Sequence, residues 1–501
     1  MDAIRIHERD NVAVALKDLQ KGEILEVAGQ SIVLQDNIPN GHKVALAPIA
    51  IGEAAIKYGN PIGIATAAIA VGNHVHDHNL KSGADDRRTY TYNFQSEGTV
   101  LHGHSDKTFQ GYLRKNGTAG IRNYLLILPT VFCANGPMDR LAQMVSAKYP
   151  ACENFDGVLA LHQEFGCSQA EDDLRLTAET MASFMANGNF GGILILSLGC
   201  EVNDLVNLKQ YIGDEVDPER VRYMVLQDTD NEFTEGMKLC DELMEKIKRD
   251  RREAINMEKL HICFNCGGSD GFSGITANKL LGKVCNRLVA EGATTSITEV
   301  AEMIGGEQIL MNRAINEQVY QDIVDLIYRN LDFYGKFGLK MNENPTQGNK
   351  AGGLTTIEDK SLGCIQKGGD CAIYEVVKFG KRATQKGFIL VEGPGNDLTG
   401  VTAQIAAGAV LTIFTTGRGT PAGFGGPLYR LTSNSRIANK KPMWTDYNCG
   451  PMLETDDPEV LQKMEADLYD GIMATVNGEY RTRNEINGYY LYGTFRTGPN
   501  M

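Results

Sequence analysis

The 501-residue chain has little of what marks a membrane, secreted or polyanion-binding protein. No apolar stretch approaches the ~18 residues that span a bilayer; the nearly apolar segment from Pro61 to Gly72 falls well short. The opening MDAIRIHERD lacks the apolar core of a signal peptide. Cationic residues are outnumbered, 49 Lys and Arg against 63 Asp and Glu, and a net charge of −14 excludes the basic footprint of a nucleic-acid binder. Eleven cysteines, an odd number at scattered positions, do not make a disulfide framework. Prolines number 15, and there is no low-complexity run or internal repeat to suggest long linkers or a solenoid. Neither GxGxxG nor a P-loop occurs, which argues against a dinucleotide-dependent oxidoreductase or an ATP site. These absences predict a cytoplasmic, reduced protein with no membrane or nucleic-acid partner.

Glycine is what the chain has in excess. There are 55, where average usage of roughly 7% would give about 35. They cluster after apolar runs, where a backbone must come close to a ligand. Residues 1–82 read as short strands separated by turns, a small all-β module. Residues 83–110 are polar and aperiodic, and are expected to form a linker with extended pieces. From Gly111 onward, apolar runs such as YLLILPT, GILILSLG, LHICFN, GFILVEG and VLTIFTTG alternate with helical patterns, including Glu232 to Arg252 and Ala277 to Ala290. That alternation predicts parallel sheets with helices on both faces and ligands beyond the carboxyl ends of the strands. The charged run Glu245 to Glu253 suits either a boundary between two α/β units or a solvated helix end. The expected units are 1–82, the linker 83–110, a middle domain 111–255 and a C-terminal domain 256–501.

Several junctions carry chemistry. GNHVHDHNL (Gly72 to Leu80) spaces His74, His76 and His78 at i, i+2 and i+4, on one face if the segment is a strand. The set suits a shared metal or a substrate contact, and equally a solvated strand end. Cys167, Cys200 and Cys266 each stand where a strand should end, and Cys364 closes SLGC. Thiolates there suit Fe²⁺ or an iron–sulfur cluster, although cysteine also fills crowded turns. The pair Cys263 and Cys266 is a weak CxxC, because a strand sends the two side chains to opposite faces. CGGSDGFSGITAN (Cys266 to Asn278) is a glycine- and hydroxyl-rich loop suited to an anion. FTTGRGTP places Arg418 between glycines, where a guanidinium can grip a carboxylate. Asp270, Glu299, Asp397, Asp446 and Asn448 offer oxygen ligands or, equally, caps and turns. Lys350 and Lys360 are bases if desolvated and ordinary surface lysines if not.

These strings together are similar to the altronate/galactarate dehydratase family, nearly end to end. The resemblance rests on KYGNPIGIA, GNHVHDHNL, GYLRKNGTAGIRN, the GCSQ and LGCE junctions, CGGSDGFSGITAN, NENPTQGNKAGGLTTIEDKSLGC and FTTGRGTP. DPERVRYM (Asp217 to Met224) and the NKAGGLTTIEDKSLGC form resemble the altronate branch, whereas Cys263 in CFNCGG and the HQEFGC junction depart from the pattern. The resemblance implies a multidomain α/β fold: an N-terminal all-β SAF (β-clip) module, a middle α/β domain and a C-terminal Rossmann-like parallel-sheet domain. It implies a hydro-lyase that turns D-altronate into 2-keto-3-deoxy-D-gluconate in hexuronate breakdown, dependent on Fe²⁺ or another divalent ion such as Mn²⁺. A homodimer joined through the middle domain is implied in the same way. Galactarate is the alternative substrate, and a non-catalytic sugar-acid-binding protein the alternative class. On this reading the metal lies in the C-terminal domain, with Cys266, Glu299 and Asp446 as ligands. Arg418 holds the substrate carboxylate, and Asn349 with the backbone of Gly267, Gly268 and Ser269 orients it. Lys360 is the expected base, with His162 and His76 as alternatives for acid–base work.

Overall fold

The computed structural model describes residues 1–84, 88–339 and 344–498. Asp85 to Arg87 of the expected linker, and Asn342 and Glu343 of the NENPTQGNK string, lie outside the described residues.

The N-terminal part is all-β, as the turn spacing predicts. Ala3–Ile4, Val12–Ala15, Lys43–Ala45 and His74–Val75 form a four-stranded sheet in that order, and the adjacent pairs run antiparallel. Two smaller antiparallel sheets complete the module. Part of its apolar surface, including Val12, Ala45, Ile62 and Val75, joins the large C-terminal core.

The middle part is a four-stranded parallel sheet. Its strands are β1 (Tyr124–Pro129), β2 (Gly157–Ala160), β3 (Phe190–Ser197) and β4 (Val221–Val225), in the order β2-β1-β3-β4. All six residues of β1 are buried because both faces are covered. Tyr124, Leu126 and Leu128 meet helix α2 (Glu171–Met185), while Leu125 and Ile127 meet α1 (Asn135–Lys148) and α3 (Glu232–Ile247). The charged run begins in the last turn of α3, which ends at Ile247. Glu253–Asn256 pairs antiparallel with Thr108–Leu113, so the chain leaves the middle part beside the point where it came in.

The C-terminal part holds a seven-stranded parallel sheet in the order β7-β8-β6-β5-β9-β10-β11. These strands are β5 (His261–Cys266), β6 (Thr294–Ile297), β7 (Ile373–Val377), β8 (Phe388–Val391), β9 (Leu411–Thr416), β10 (Leu428–Thr432) and β11 (Tyr447–Asn448). Helix α4 (Ala277–Ala290) covers one face, and α7 (Asp397–Ala407) packs on the other. The connections run one way from β5 to β6 and the other way to β9. The crevice between β5 and β9 is therefore the switch point of the sheet, where ligands bind in open α/β folds.

The segment between the N-terminal and middle parts lies against the C-terminal part. The Tyr90 hydroxyl donates to Glu307 at 3.0 Å, the Tyr92 hydroxyl to the Ala314 carbonyl at 2.9 Å, and Val100 bridges to Cys371. Interleaved tyrosines give a polar stretch apolar grip, which holds it against the C-terminal body.

Candidate active site

The site is assembled at the switch point. Strand β5 ends at Cys266, and the chain must turn at once. Gly268 takes φ +63°, and its carbonyl accepts the N–H groups of Gly417 and Arg418 from the loop after β9. Beyond β6, Glu299 adopts a left-handed conformation (φ 68°) that side chains rarely occupy. That turn presents two carboxylates, Glu299 and Glu302, beneath the β5 end. Helix α6 (Ile357–Cys364), capped by Thr356 and buried along all eight residues, supplies Lys360 and Cys364. At i and i+4 they project together.

The result is a buried cluster of alternating charge. Cys266 Sγ lies 3.3 Å from Cys364 Sγ, which in turn lies 3.1 Å from Glu302 Oε2. Lys360 Nζ is 2.6 Å from Glu302 Oε1, and Lys367 Nζ is 2.9 Å from Glu299 Oε2. The Cys266 N–H also donates to Glu299 Oε2 at 3.2 Å. The hydrogen bond from the Cys364 thiol draws Cys266 down to about 6, against its burial and with help from Lys367. The same bond pushes Cys364 well up. Burial raises Glu299 strongly, with the Cys266 charge adding to it. Burial also works against ionisation of Glu302, but Lys360 and the Cys364 hydrogen bond keep it below its usual value. Lys360 is raised despite burial, because Glu302 and the cysteines face it. Asp397, at the start of α7, is lifted to about 7 by burial and by the charges of Glu302 and Cys266.

Buried polar atoms in native folds are nearly always bonded. Here Glu299 Oε1, Asn265 Oδ1, Ser269 Oγ and Thr298 Oγ1 have no hydrogen-bond partner among the described residues. Such a set fits a site built to receive something else. Cys266, Glu302 and Cys364 each bring a ligand atom within 4.8 Å of the others. Two sulfurs and a carboxylate oxygen suit Fe²⁺ better than a hard cation.

Several expected residues meet here. Cys266, Glu299 and Lys360 share the cluster, and Gly267 sits so close to Asp397 that a Cβ would fall 2.4 Å from its Oδ2. Asn349 donates to the Ser269 carbonyl at 2.8 Å and lies 3.5 Å from Lys360 Nζ. Arg418 emerges exposed beside Gly268. Others stand apart. Asp446 accepts from the N–H groups of Arg430 and Arg483 and from the Tyr480 hydroxyl, a separate and satisfied network. His162 is an exposed surface residue of the middle part, 2.9 Å from Asp139. His76 lies on the N-terminal module beside His42 and His74. Cys167 and Cys200 are exposed, and Cys263 turns away to Thr412. Reading the sequence alone missed Glu302 and Lys367 and left Cys364 without a role. The i, i+4 spacing of Lys360 and Cys364 was the available signal.

A buried ammonium beside a carboxyl group lifted toward neutrality, at a sheet switch point, is the equipment that proton transfer on a small molecule needs. Comparison with known proteins gives the family. The altronate/galactarate dehydratase SAF domain matches residues 1–83. The second domain of D-galactarate dehydratase/altronate hydrolase matches 111–248, and the D-galactarate/altronate dehydratase C-terminal domain matches 257–499. The altronate dehydratase of Bacillus subtilis (strain 168) is 42% identical over 498 residues, 99% of each chain. That of Escherichia coli (strain K12) is 38% identical over the whole of both chains. The galactarate dehydratase (L-threo-forming) of the same strain is 31% identical across 97% of this chain and 95% of its own. The chain belongs to the altronate/galactarate dehydratase family. Among the described residues no helix is long and apolar enough to cross a membrane.

Proposed function

We propose that the protein dehydrates D-altronate to 2-keto-3-deoxy-D-gluconate, as a step in hexuronate catabolism. The observation that carries the chemistry is the buried Lys360–Glu302 ion pair, close enough to Asp397 for its charges to act on that carboxyl, which is lifted to about 7. Removing the proton beside a carboxylate requires a base near neutral pH, and expelling the neighbouring hydroxyl requires a proton donor. Asp397 Oδ2, next to Gly267, is the acceptor for the C2 proton. Lys360, anticipated as a base, is held as an ammonium by Glu302, so Nζ is the donor to the departing 3-hydroxyl. Asn344 Oδ1, 3.1 Å from Lys360 Nζ, and Asn349 aim that ammonium. Arg418 meets the substrate carboxylate from the open side.

Fe²⁺, or Mn²⁺ in its place, would be held by Cys266, Cys364 and Glu302. It would supply Lewis-acid stabilisation of the enediolate charge, worth several kcal/mol. The donor set and the orphaned Glu299 Oε1 support this placement; the thiolates also admit an iron–sulfur cluster.

Altronate is favoured over galactarate by the higher identity to the two altronate dehydratases, 42% and 38% against 31%. The reading includes a cytoplasmic homodimer, a β-clip N-terminal module and a Rossmann-like C-terminal domain. The seven-stranded parallel order supports the last of these. The test is an anaerobic assay of reduced, Fe²⁺-supplemented protein with D-altronate and galactarate, following 2-keto acid formation. D-altronate should turn over with the larger kcat/KM. No product from either acid, or a preference for galactarate, overturns the reading.

A further inference from the structure

We propose a second divalent-cation site, built of imidazoles on the N-terminal module and separate from the Cys266 pocket. Strand register creates it. Lys43 pairs with Val75 and Val44 with His74, which sets His42 opposite His76. His74 and His76, two residues apart, share that face. The His42 and His76 ring centroids are 4.7 Å apart, those of His42 and His74 are 5.1 Å apart, and His42 Nδ1 lies 3.0 Å from His74 Nε2. One nitrogen from each ring falls within 4.8 Å of the other two. His78, its ring centroid 5.2 Å from that of His74, stands at the rim.

His42 and His74 hydrogen-bond to each other, and the third ring is left short of a partner. His76 Nδ1 is buried without a partner among the described residues. The nearest carboxylate, Asp77, is 3.9 Å from His76 Nε2, too far for a hydrogen bond. Lys43, the residue after His42, projects from the other face, where its ammonium lies 2.8 Å from Asp359 Oδ2 and 2.7 Å from the Gly353 carbonyl.

The scaffold around the rings is fixed. The His74 N–H donates to Asp36, while Asn79 bridges the His74 carbonyl and the His76 N–H. Three imidazole nitrogens gathered this closely suit a borderline first-row ion such as Fe²⁺, Co²⁺ or Zn²⁺. The site faces the short helix Gln347–Lys350, whose Lys350 Nζ is 3.7 Å from Asp77, so the ion would lie at the seam between module and body.

The probe is Co²⁺ added to the reduced, metal-free full chain, with binding measured by equilibrium dialysis and the absorption spectrum recorded. His74→Ala should bind one equivalent fewer than the parent and keep any sulfur-to-cobalt charge-transfer band from the Cys266 pocket. His42→Gln, a gentler change, should lose the same equivalent if His74→Ala is unstable. Full Co²⁺ stoichiometry in folded His42→Gln or His74→Ala overturns the proposal. Loss of the sulfur band in Cys266→Ser, with the histidine-dependent equivalent intact, leaves this site standing whatever becomes of the cysteine pocket.

Discussion

Two parallel sheets in one chain end their strands in cysteine-bearing loops, with opposite outcomes. In the middle sheet Glu201 follows β3, and its carboxylate is fully engaged. Thr130 Oγ1, Ser197 Oγ and the N–H groups of Leu198 and Gly199 all donate to it within 3.0 Å. Cys167 and Cys200, on the loops beside it, are exposed. In the C-terminal sheet Cys266 is buried against two carboxylates and two ammoniums, with orphaned oxygens around it. A cysteine at a strand end therefore says little. What separates the two loops is whether burial leaves charge paired and polar atoms spare.

The largest expected effect tests the rich side of that contrast. Lys360→Met removes the proposed proton donor and should lower kcat by about 10²–10⁴-fold, the usual range for acid–base groups. Circular dichroism should show the fold intact. Near-normal turnover in a folded variant would make the buried charge structural rather than catalytic.

A third buried charge set, Lys43–Asp359–Lys57, asks whether burial of charge alone implies chemistry. Both ammoniums lie within 3.0 Å of Asp359, and none of the three side chains is more than 2% exposed. Asp359→Asn leaves two buried cations with no anion between them and should cost about 3–5 kcal/mol in denaturant melts. The pH dependence has a definite sign. Against its burial, Lys43 and Lys57 hold the Asp359 carboxyl far below its usual value. Its contribution is therefore full above an unfolded pKa of about 3.9 and fades only as pH falls through the lower folded one. Acid melts should show this group's loss only below about pH 4, and Asp359→Asn should lack it. The smallest effect belongs to the plain side of the contrast. Cys167→Ser and Cys200→Ser should stay within about 0.5 kcal/mol of the parent in stability, with kcat unchanged. A large loss of turnover in either would bring the middle sheet into the chemistry.

Much of the fold was legible because apolar runs bounded by glycine are strong signals. YLLILPT, LHICFN and VLTIFTTG became central strands, and Ala277–Ala290 is a helix as expected. Strand β10 was not legible. LYRLT carries a buried Arg430, bonded to the Trp444 and Ala422 carbonyls, in the middle of what should read as an apolar run. The site was half legible. Cys266 and Glu299 follow strands, where pattern finds them. Glu302, Cys364 and Lys367 come together only through the turn after Glu299 and the packing of a fully buried helix, and no local periodicity encodes such a contact. Asp446 looked equivalent to Glu299 in one dimension, yet its donors are the backbone of Arg430 and Arg483.

The antiparallel stem of Thr108–Leu113 and Glu253–Asn256 makes the middle sheet a detour in the path of the polypeptide. Such a detour can be deleted or transplanted without rethreading the remainder, because both cut ends already sit side by side. Its resistance to loss comes instead from the apolar seam where Phe184 and Leu161 meet Phe414, Phe424 and Leu428. The topology makes this unit modular, and its hydrophobic contact binds it to the whole.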